Sequence, residues 1–584
     1  MNASYIPDIR LGNKGVPDTE FHQKLRGSFK TFLWYVHKHL GLPQPTPLQY
    51  NIAEYLQYGP KRSIIQAFRG VGKSHITVAF VVWCLLRDPD YKIMVVSASK
   101  SLADDFSTFV QRLIWDMEGL EYLIPSPEQR QSKLTFDVGP ARADKSPSVK
   151  SVGITGQITG SRADLIVADD IEVLNNAFTQ SARDKLSEQV KEFDAVLKPL
   201  KTSRIVFLGT PQTEDSLYTK LPDRGYEVRV WPARMPGEKL LELYGQSLAP
   251  YVVDLKLTEG QPTDPLRFND TDLIEREASY GKAGFAMQFM LSTALSDMER
   301  FPLKVRDLVI MNIDPETAPL KITWGPLEDR AYKDLPNVAM RGDHMYPPMA
   351  VGDITSEYTG AILAIDPSGR GKDETGYAVV KMINGYLYVP AAGGLTGGYD
   401  RETLMELAVI AKTHKVNEVI YESNFGDGMF GELFKPILHK VHKCTVEEVR
   451  HSQQKERRII DTLEPVMNSH KLVISPEVIE SDFRTAQKYE QAVRQAKMLI
   501  YQMTRVTYDK GCLRHDDRLD ALAIAVAYWT EQMARDEEMG IEQIRQDALE
   551  VELQRFMENA VDPSGRRSGG SSGSSWISSY MSGG

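Results

Sequence analysis

Cysteine is nearly absent: the 584 residues contain three, Cys84, Cys444 and Cys512. Their odd number and wide spacing build neither a disulfide framework nor a zinc site, so a reducing intracellular compartment is expected. Long apolar runs are also missing. The most apolar segment, Ile76 to Leu86, falls far short of the ~20 residues that span a bilayer. The opening MNASYIPDIRLGNKG lacks the apolar stretch of a signal peptide. These absences predict a soluble, cytoplasmic protein with no membrane partner. An excess of positive charge is lacking too, with 69 Lys and Arg against 79 Asp and Glu, a formal net charge of −10. That total does not exclude nucleic acid, which responds to a local basic track, and carboxylates gathered at metal sites would lower it further.

What remains is ordinary globular composition, 42% hydrophobic and 25% charged, in a chain too long for one core. The fold class expected is α/β. Residues 1–45 read as a polar lead-in carrying a short amphipathic helix around FKTFLWYVHKHLGL. Over 46–300, the apolar runs RSIIQAF, YKIMVVSAS, DLIVADD and SRIVFLGT alternate with helical stretches such as KSHITVAFVVWCLLRDP. Continuous apolar strands of this kind indicate a parallel-rich sheet buried on both faces. Residues 301–355, rich in Pro, Asp and Met without sustained period, read as a linker. A second α/β domain over 356–535 opens with TGAILAID, GYAVVKM and GYLYVPA. The Asn384-Gly385 turn predicts antiparallel hairpins there, hence a mixed sheet. Residues 536–584 read as a helix and the Gly/Ser-rich PSGRRSGGSSGSSWISSYMSGG. Two readings stand for its Trp576, Ile577, Tyr580 and Met581: a disordered tail, or a docking motif that folds on a partner.

Between a predicted strand and a predicted helix lies Ala67-Phe68-Arg69-Gly70-Val71-Gly72-Lys73-Ser74. Glycines let backbone N–H groups close around phosphates, and the helix N-terminus adds positive potential. Lys73 would reach the β- and γ-phosphates of ATP, Ser74 would ligate Mg²⁺, and Arg69 adds a second cation. Ala67 stands where the pattern's first glycine is usual. A second apolar strand ends in Asp169 and Asp170; Asp169 is the metal-side candidate, and Asp170 or Glu172 the candidate base. Gln49 is placed to bond adenine, Thr210 in Leu208-Gly209-Thr210-Pro211-Gln212 to sense the γ-phosphate, and Arg162 to act as an arginine finger in cis or on a neighbouring subunit. Their ordinary alternatives are a surface amide, a strand-ending turn and a local salt bridge.

The second domain carries three acidic clusters. Asp366 ends one strand and precedes PSGRGKDETG with Asp373, Glu422 ends another, and Asp516, Asp517 and Asp520 open a helix. Spacing places Asp516 and Asp520, or Asp517 and Asp520, on one helix face. Carboxylates from two strand ends and a helix start can converge on a pair of Mg²⁺ or Mn²⁺ ions, which would cleave phosphodiesters by orienting water and stabilising the leaving oxygen. Helix capping and turn formation are the plainer uses of the same residues.

Together QAFRGVGKS, GSRADLIVADD, LGTPQ, IDPSGRGKDETGYAV, YESNFGDGMF and HDDRLDAL resemble the large terminase subunit, or DNA maturase B, of short-tailed phages, over about residues 45 to 530. The resemblance implies an ASCE-type ATPase domain followed by an RNase H-like nuclease domain. It implies ATP-driven translocation of double-stranded viral DNA into a procapsid and metal-dependent cutting of concatemers. A homo-oligomeric ring, commonly pentameric, on the portal protein, a small terminase subunit as partner, and a place in the host cytoplasm and transiently at the portal vertex are further implications. Carried onto this sequence, Lys73 and Ser74 fall in the phosphate loop, Asp169 on the Mg²⁺-binding strand and Thr210 in the coupling motif. Asp366, Glu422 and one of Asp516 or Asp517 form the nuclease triad. Many relatives have Glu at the position of Asp170, which leaves the base open between Asp170 and Glu172. An ATP-gated nuclease without a capsid partner and a non-catalytic assembly factor are the alternative functions.

Overall fold

The computed structural model describes residues 16–368, 373–422, 429–451 and 453–560. The tail residues Trp576, Ile577, Tyr580 and Met581 lie outside them. Two seven-stranded sheets organise the chain. The first comprises β1 (Arg62–Ala67), β2 (Ile93–Ser97), β3 (Thr135–Phe136), β4 (Val149–Gly153), β5 (Leu165–Asp169), β6 (Arg204–Leu208) and β7 (Glu227–Trp231). Its order is β3-β4-β2-β5-β6-β1-β7, and every pairing except β3–β4 is parallel. Strand β6 therefore lies between β1 and β5, so the chain ends leaving all three strands open on the same edge.

The helix Lys73–Arg87 is buried at every position from Ile76 to Arg87, because an all-apolar helix needs cover on every side. The sheet covers one side. The other is covered by helices Glu20–Gly27 and Phe29–His39, whose Phe29, Phe32, Leu33 and Val36 are in the same core. Full burial of such side chains stabilises by about 1.5–3 kcal/mol each. Trp83 Nε1 donates to the Leu25 carbonyl at 3.0 Å, and Arg87 to that of Arg26 at 2.8 Å. The expected lead-in is, from residue 16 on, part of the first domain: its amphipathic face has no other surface to cover.

The second sheet begins earlier than expected, with β8 (Val309–Ile310). Two small antiparallel ribbons follow: β9 (Thr317–Pro319) pairs with β12 (Thr355–Glu357), and β10 (Ile322–Thr323) with β11 (Ala350–Val351). Then come β13 (Gly360–Asp366), β14 (Thr375–Ile383), β15 (Tyr386–Leu395), β16 (Glu418–Glu422), β17 (Thr445–Val449) and β18 (Leu472–Ile474). The sheet order is β17-β16-β13-β14-β15-β18-β8, with antiparallel pairing only at β13–β14 and β14–β15. Residues 301–355 are thus no linker. Leu303, Val305, Leu308, Ile310 and Met345 enter the second core, an apolar contribution that their sparse, aperiodic spacing conceals. The Asn384-Gly385 turn joins β14 to β15 with φ of 48° and 73°, both positive as a tight type I′ hairpin requires. The helix Asp517–Ala560 runs unbroken through the boundary expected at 535.

The two domains meet around one carboxylate. Asp215 of the first accepts from Arg505 Nε at 3.0 Å and Tyr501 Oη at 3.1 Å, with Arg183 Nη2 at 3.8 Å. Gln180 strengthens the seam: its N–H donates to the Cys512 carbonyl at 3.0 Å, and its Oε1 accepts from Arg514 N at 3.2 Å. Burial pushes the Asp215 carboxyl up, but Arg505, Arg183 and Lys220 outweigh it and hold it below the ordinary value. A carboxyl lowered in the folded state stabilises at neutral pH, and that contribution is lost as pH falls through the acid range. Removing one member of a buried pair costs about 3–5 kcal/mol by stranding its partner. Asp215→Asn should therefore separate the melting of the two domains in calorimetry at pH 7, with the difference from wild type shrinking toward pH 3. A single unshifted transition would show that this contact does not join the domains.

Candidate functional site

The loop between β1 and the helix Lys73–Arg87 is a cradle held from outside. Gly70 and Gly72 have φ of 86° and 96°, the left-handed region that glycine adopts without steric cost. A Cβ on Gly70 would stand 2.9 Å from the Phe268 ring, and one on Gly72 3.0 Å from the Gln49 amide nitrogen. Gln49 is not offered to adenine as an open amide. Its Nε2 donates to the Val71 carbonyl at 2.7 Å, and its Oε1 accepts from Thr46 N at 2.9 Å, so it braces the loop. Lys73 Nζ donates to the Ala67 carbonyl at 2.5 Å. Burial lowers its pKa, while Asp170 and Asp169 act to raise it. Ser74 follows in the first helical turn, and the exposed Arg69 guanidinium lies 5.9 Å from the centre of the Tyr280 ring.

Opposite Lys73, Asp169 ends β5. Burial and the neighbouring Asp170 push its carboxyl up to about 7, with Lys73 opposing. Its Oδ1 is shielded from solvent and has no hydrogen-bond partner, which a buried acid tolerates only where a cation or proton can meet it. That orphaned oxygen, near Lys73, fits a hard divalent cation carried by a triphosphate. Asp170 is exposed, with φ of 44°.

Two expected roles are corrected here. Glu172 does not face the cradle: it is 3% exposed, Oε1 accepts from Gln212 N at 3.0 Å, and Oε2 accepts from Leu217 N at 2.6 Å. With both oxygens taken by backbone, it pins the segment that carries the buried Thr210 instead of serving as a base. Arg162 precedes β5, whereas the phosphate loop follows β1, and β1, β6 and β5 run parallel. The five residues of β5 put roughly 15 Å between Arg162 and the cradle edge. A finger in cis is excluded, and the guanidinium instead donates to the Ala195 carbonyl.

In the second domain, Asp366 and Glu422 end adjacent parallel strands, since Ile365 pairs with Tyr421. Asp520 joins them, and ligand oxygens of the three buried acids lie within 4.8 Å of one another. Of Asp516 and Asp517, the two candidates for the third member, Asp517 falls in a second group. It opens the helix, about 4.5 Å along the axis from Asp520, and groups with Asp373 and His515. Asp516 sits at the edge of the first group, bonded to Lys455 at 3.0 Å. Two cations that the sequence reading missed hold this group together. Lys455 Nζ is 2.9 Å from Asp520, 3.0 Å from Asp516 and 3.4 Å from Asp366. Arg458 is 2.6 Å from Asp520 and 3.7 Å from Glu422. Their i,i+3 spacing at the start of helix Lys455–Asn468 was the available signal. Burial pushes the Asp366 carboxyl well up; Lys455 opposes, and Asp520, Glu422 and Asp517 add to the rise. Four carboxylates about two cations leave the deficit that one divalent ion carries, and hard oxygen donors suit Mg²⁺ or Mn²⁺.

If Glu172 is a pin and not a base, Glu172→Gln should turn one N–H acceptor into a donor and cost about 1–3 kcal/mol. Melting temperature should drop by several degrees while ATP turnover, measured by phosphate release, survives; Asp170→Asn should show the reverse. Turnover abolished in Glu172→Gln at unchanged melting temperature would return Glu172 to the site.

Residues 365–472 match the family described as Terminase Bacteriophage T7, Ribonuclease H-like domain. The chain is 49% identical over 550 residues to the large terminase subunit of Enterobacteria phage T3, covering 93% of each protein. Among solved structures it is similar to the large terminase of bacteriophage HK97, at 11% identity over 87% of this chain and 95% of the other, with a TM-score of 0.36. It is also similar to the human cytomegalovirus terminase nuclease domain, at 13% identity over 29% of this chain and 83% of the other, with a TM-score of 0.23. At nearly half identity along nearly its whole length, the chain belongs to the family of large terminase subunits.

Proposed function

We propose that this chain is a DNA-packaging motor and nuclease: it hydrolyses ATP to drive double-stranded viral DNA into a procapsid, and it cuts concatemeric DNA. The observation that carries the reading is a phosphate cradle facing Asp169 and a buried Asp366–Glu422–Asp520 cluster in one chain, joined by the segment 210–217. Lys73 and the loop amides hold the β- and γ-phosphates. Ser74 and Asp169 hold Mg²⁺. Asp170, exposed beside Asp169 once Glu172 is excluded, takes the proton of the attacking water. Thr210 lies just beyond β6, the strand between β1 and β5, and reports the state of the γ-phosphate to the segment behind it. Arg162 would reach nucleotide only on a neighbouring subunit, in keeping with a homo-oligomeric, pentameric ring.

At the nuclease, Asp366, Glu422 and Asp520 are the residues that hold Mg²⁺ or Mn²⁺, with Asp516 and Asp517 beside them. Bound there, a divalent ion supplies Lewis-acid activation of water and neutralises charge on the scissile phosphate. Lys455 and Arg458 keep the carboxylates converged. Duplex DNA is held through its phosphates, without sequence readout, by basic residues facing the track. The partners are the portal protein and a small terminase subunit, and the place of action is the host cytoplasm and then the portal vertex. Among the described residues no helix is long and apolar enough to cross a membrane.

The test mixes purified protein with matching procapsids, linear duplex DNA and ATP, and scores DNA protected from added DNase. Wild type and Asp366→Asn should protect, and Lys73→Ala should not; Asp366→Asn should also lose metal-dependent cleavage of plasmid. Metal-dependent cutting by wild type with no protection by any version would leave an ATP-gated nuclease and remove packaging.

A further inference from the structure

We propose that Arg267 positions the bound nucleotide, acting through the carbonyl of Gly70 on the phosphate loop; this rests on the ATPase reading above. Arg267 lies far from the loop in sequence and matches no motif. Its Nε nevertheless donates to the Gly70 carbonyl at 3.0 Å, as Gln49 does to the next carbonyl, that of Val71. In a trans peptide the C=O and the following N–H point in opposite directions. Drawing the Gly70 and Val71 carbonyls outward therefore turns the Val71 and Gly72 N–H groups inward, where phosphate oxygens would be received. The Val71 N–H makes only a long bond, 3.4 Å to the Phe68 carbonyl, readily exchanged for a phosphate oxygen.

The placement of Arg267 is itself fixed. Its N–H and that of Phe268 both donate to the Asp264 carbonyl, at 3.0 and 2.9 Å. The buried Asp264 carboxylate accepts from the Thr46 hydroxyl at 2.7 Å, and that hydroxyl accepts from Gln49 N at 3.2 Å. On its other side, Asn269 and Asp272 form a capping box that starts helix Asp270–Gln288. Phe268 packs against Gly70. One short turn thus touches the loop directly through Arg267 and Phe268, and indirectly through Thr46 and Gln49. Arg267 is exposed, and its side-chain hydrogen bond is to the Gly70 carbonyl; burial raises the nearby Asp264 carboxyl, with the Thr46 hydroxyl and then the Arg267 charge opposing.

The experiment uses the full chain with Mg²⁺, measuring mant-ADP affinity by fluorescence, steady-state ATP turnover and melting temperature. Arg267→Ala should raise both the mant-ADP Kd and the KM for ATP about tenfold, the scale of one charge-assisted hydrogen bond. The kcat should stay within about twofold and the nucleotide-free melting temperature should be unchanged. Arg267→Lys keeps the charge but not the Nε donor, and should remain close to Ala. Unchanged Kd and KM in Arg267→Ala would overturn the proposal, as would a collapse of kcat at unchanged Kd. Full recovery in Arg267→Lys would also overturn it, because charge alone would then suffice. Wild type without mant-ADP binding or turnover would instead defeat the ATPase reading on which it stands, an outcome distinct from a normal wild type with a normal Arg267→Ala.

Discussion

A carboxylate taken out of water costs several kcal/mol unless a cation or hydrogen-bond donors meet it, and the working parts of this fold are arranged around acids that are met in different ways. Glu172 is met by two backbone N–H groups and Asp215 by two arginines and a tyrosine. Glu374 and Asp482 share the fully buried Arg518. Asp366, Glu422 and Asp520 are met by Lys455 and Arg458. The acids with full sets of protein partners are structural. Asp169, with an orphaned oxygen, and Asp366, gathered with other acids about Lys455, are the ones proposed for chemistry.

The compensated acids also make the domains continuous. From Asp170 the chain passes to Glu172, which fixes Gln212 and Leu217; between these lies Asp215, held by Arg505. Arg505 ends helix Leu499–Arg505, whose first N–H groups donate to Asp482. Asp482 binds Arg518, the neighbour of Asp517 in the nuclease helix. Such a path transmits only if one element along it has two arrangements. Segment 210–217 has room for a second, because Pro211, Thr213, Glu214 and Tyr218 border a cavity of about 270 Å³ that also touches Arg341 of the second domain.

Much of this was readable in the sequence, and for physical reasons. A buried parallel strand is an uninterrupted apolar run, so β1, β2, β5 and β6 announced themselves, and acids at their ends were conspicuous against that background. Gly70, Gly72 and the Asn384-Gly385 turn were legible because positive φ restricts residue choice. The segments around 303–355 were not, since β8 and the ribbons are two or three residues long and carry no period. Cations answering distant acids were equally hidden: Lys455 and Arg458 look like any charged helix face until β13 and β16 bring Asp366 and Glu422 beside them. Arg267 is the extreme case, an exposed arginine in a turn whose meaning comes entirely from a backbone carbonyl almost two hundred positions away.

Asp170 and Glu172 show how little separates the two kinds of acid. They are two residues apart on the same strand exit, and both could be written as the base from sequence. The left-handed backbone at Asp170 turns the chain at the sheet edge, leaving Asp170 exposed and sending Glu172 inward among donors. A base must exchange protons with water, which a carboxylate holding two N–H groups cannot do without breaking the segment it pins. A pin must be buried among its donors, which the exposed Asp170 is not. On the proposed reading the division of labour follows from one backbone conformation, and the turn that leaves Asp170 exposed also buries Glu172 against the segment 212–217.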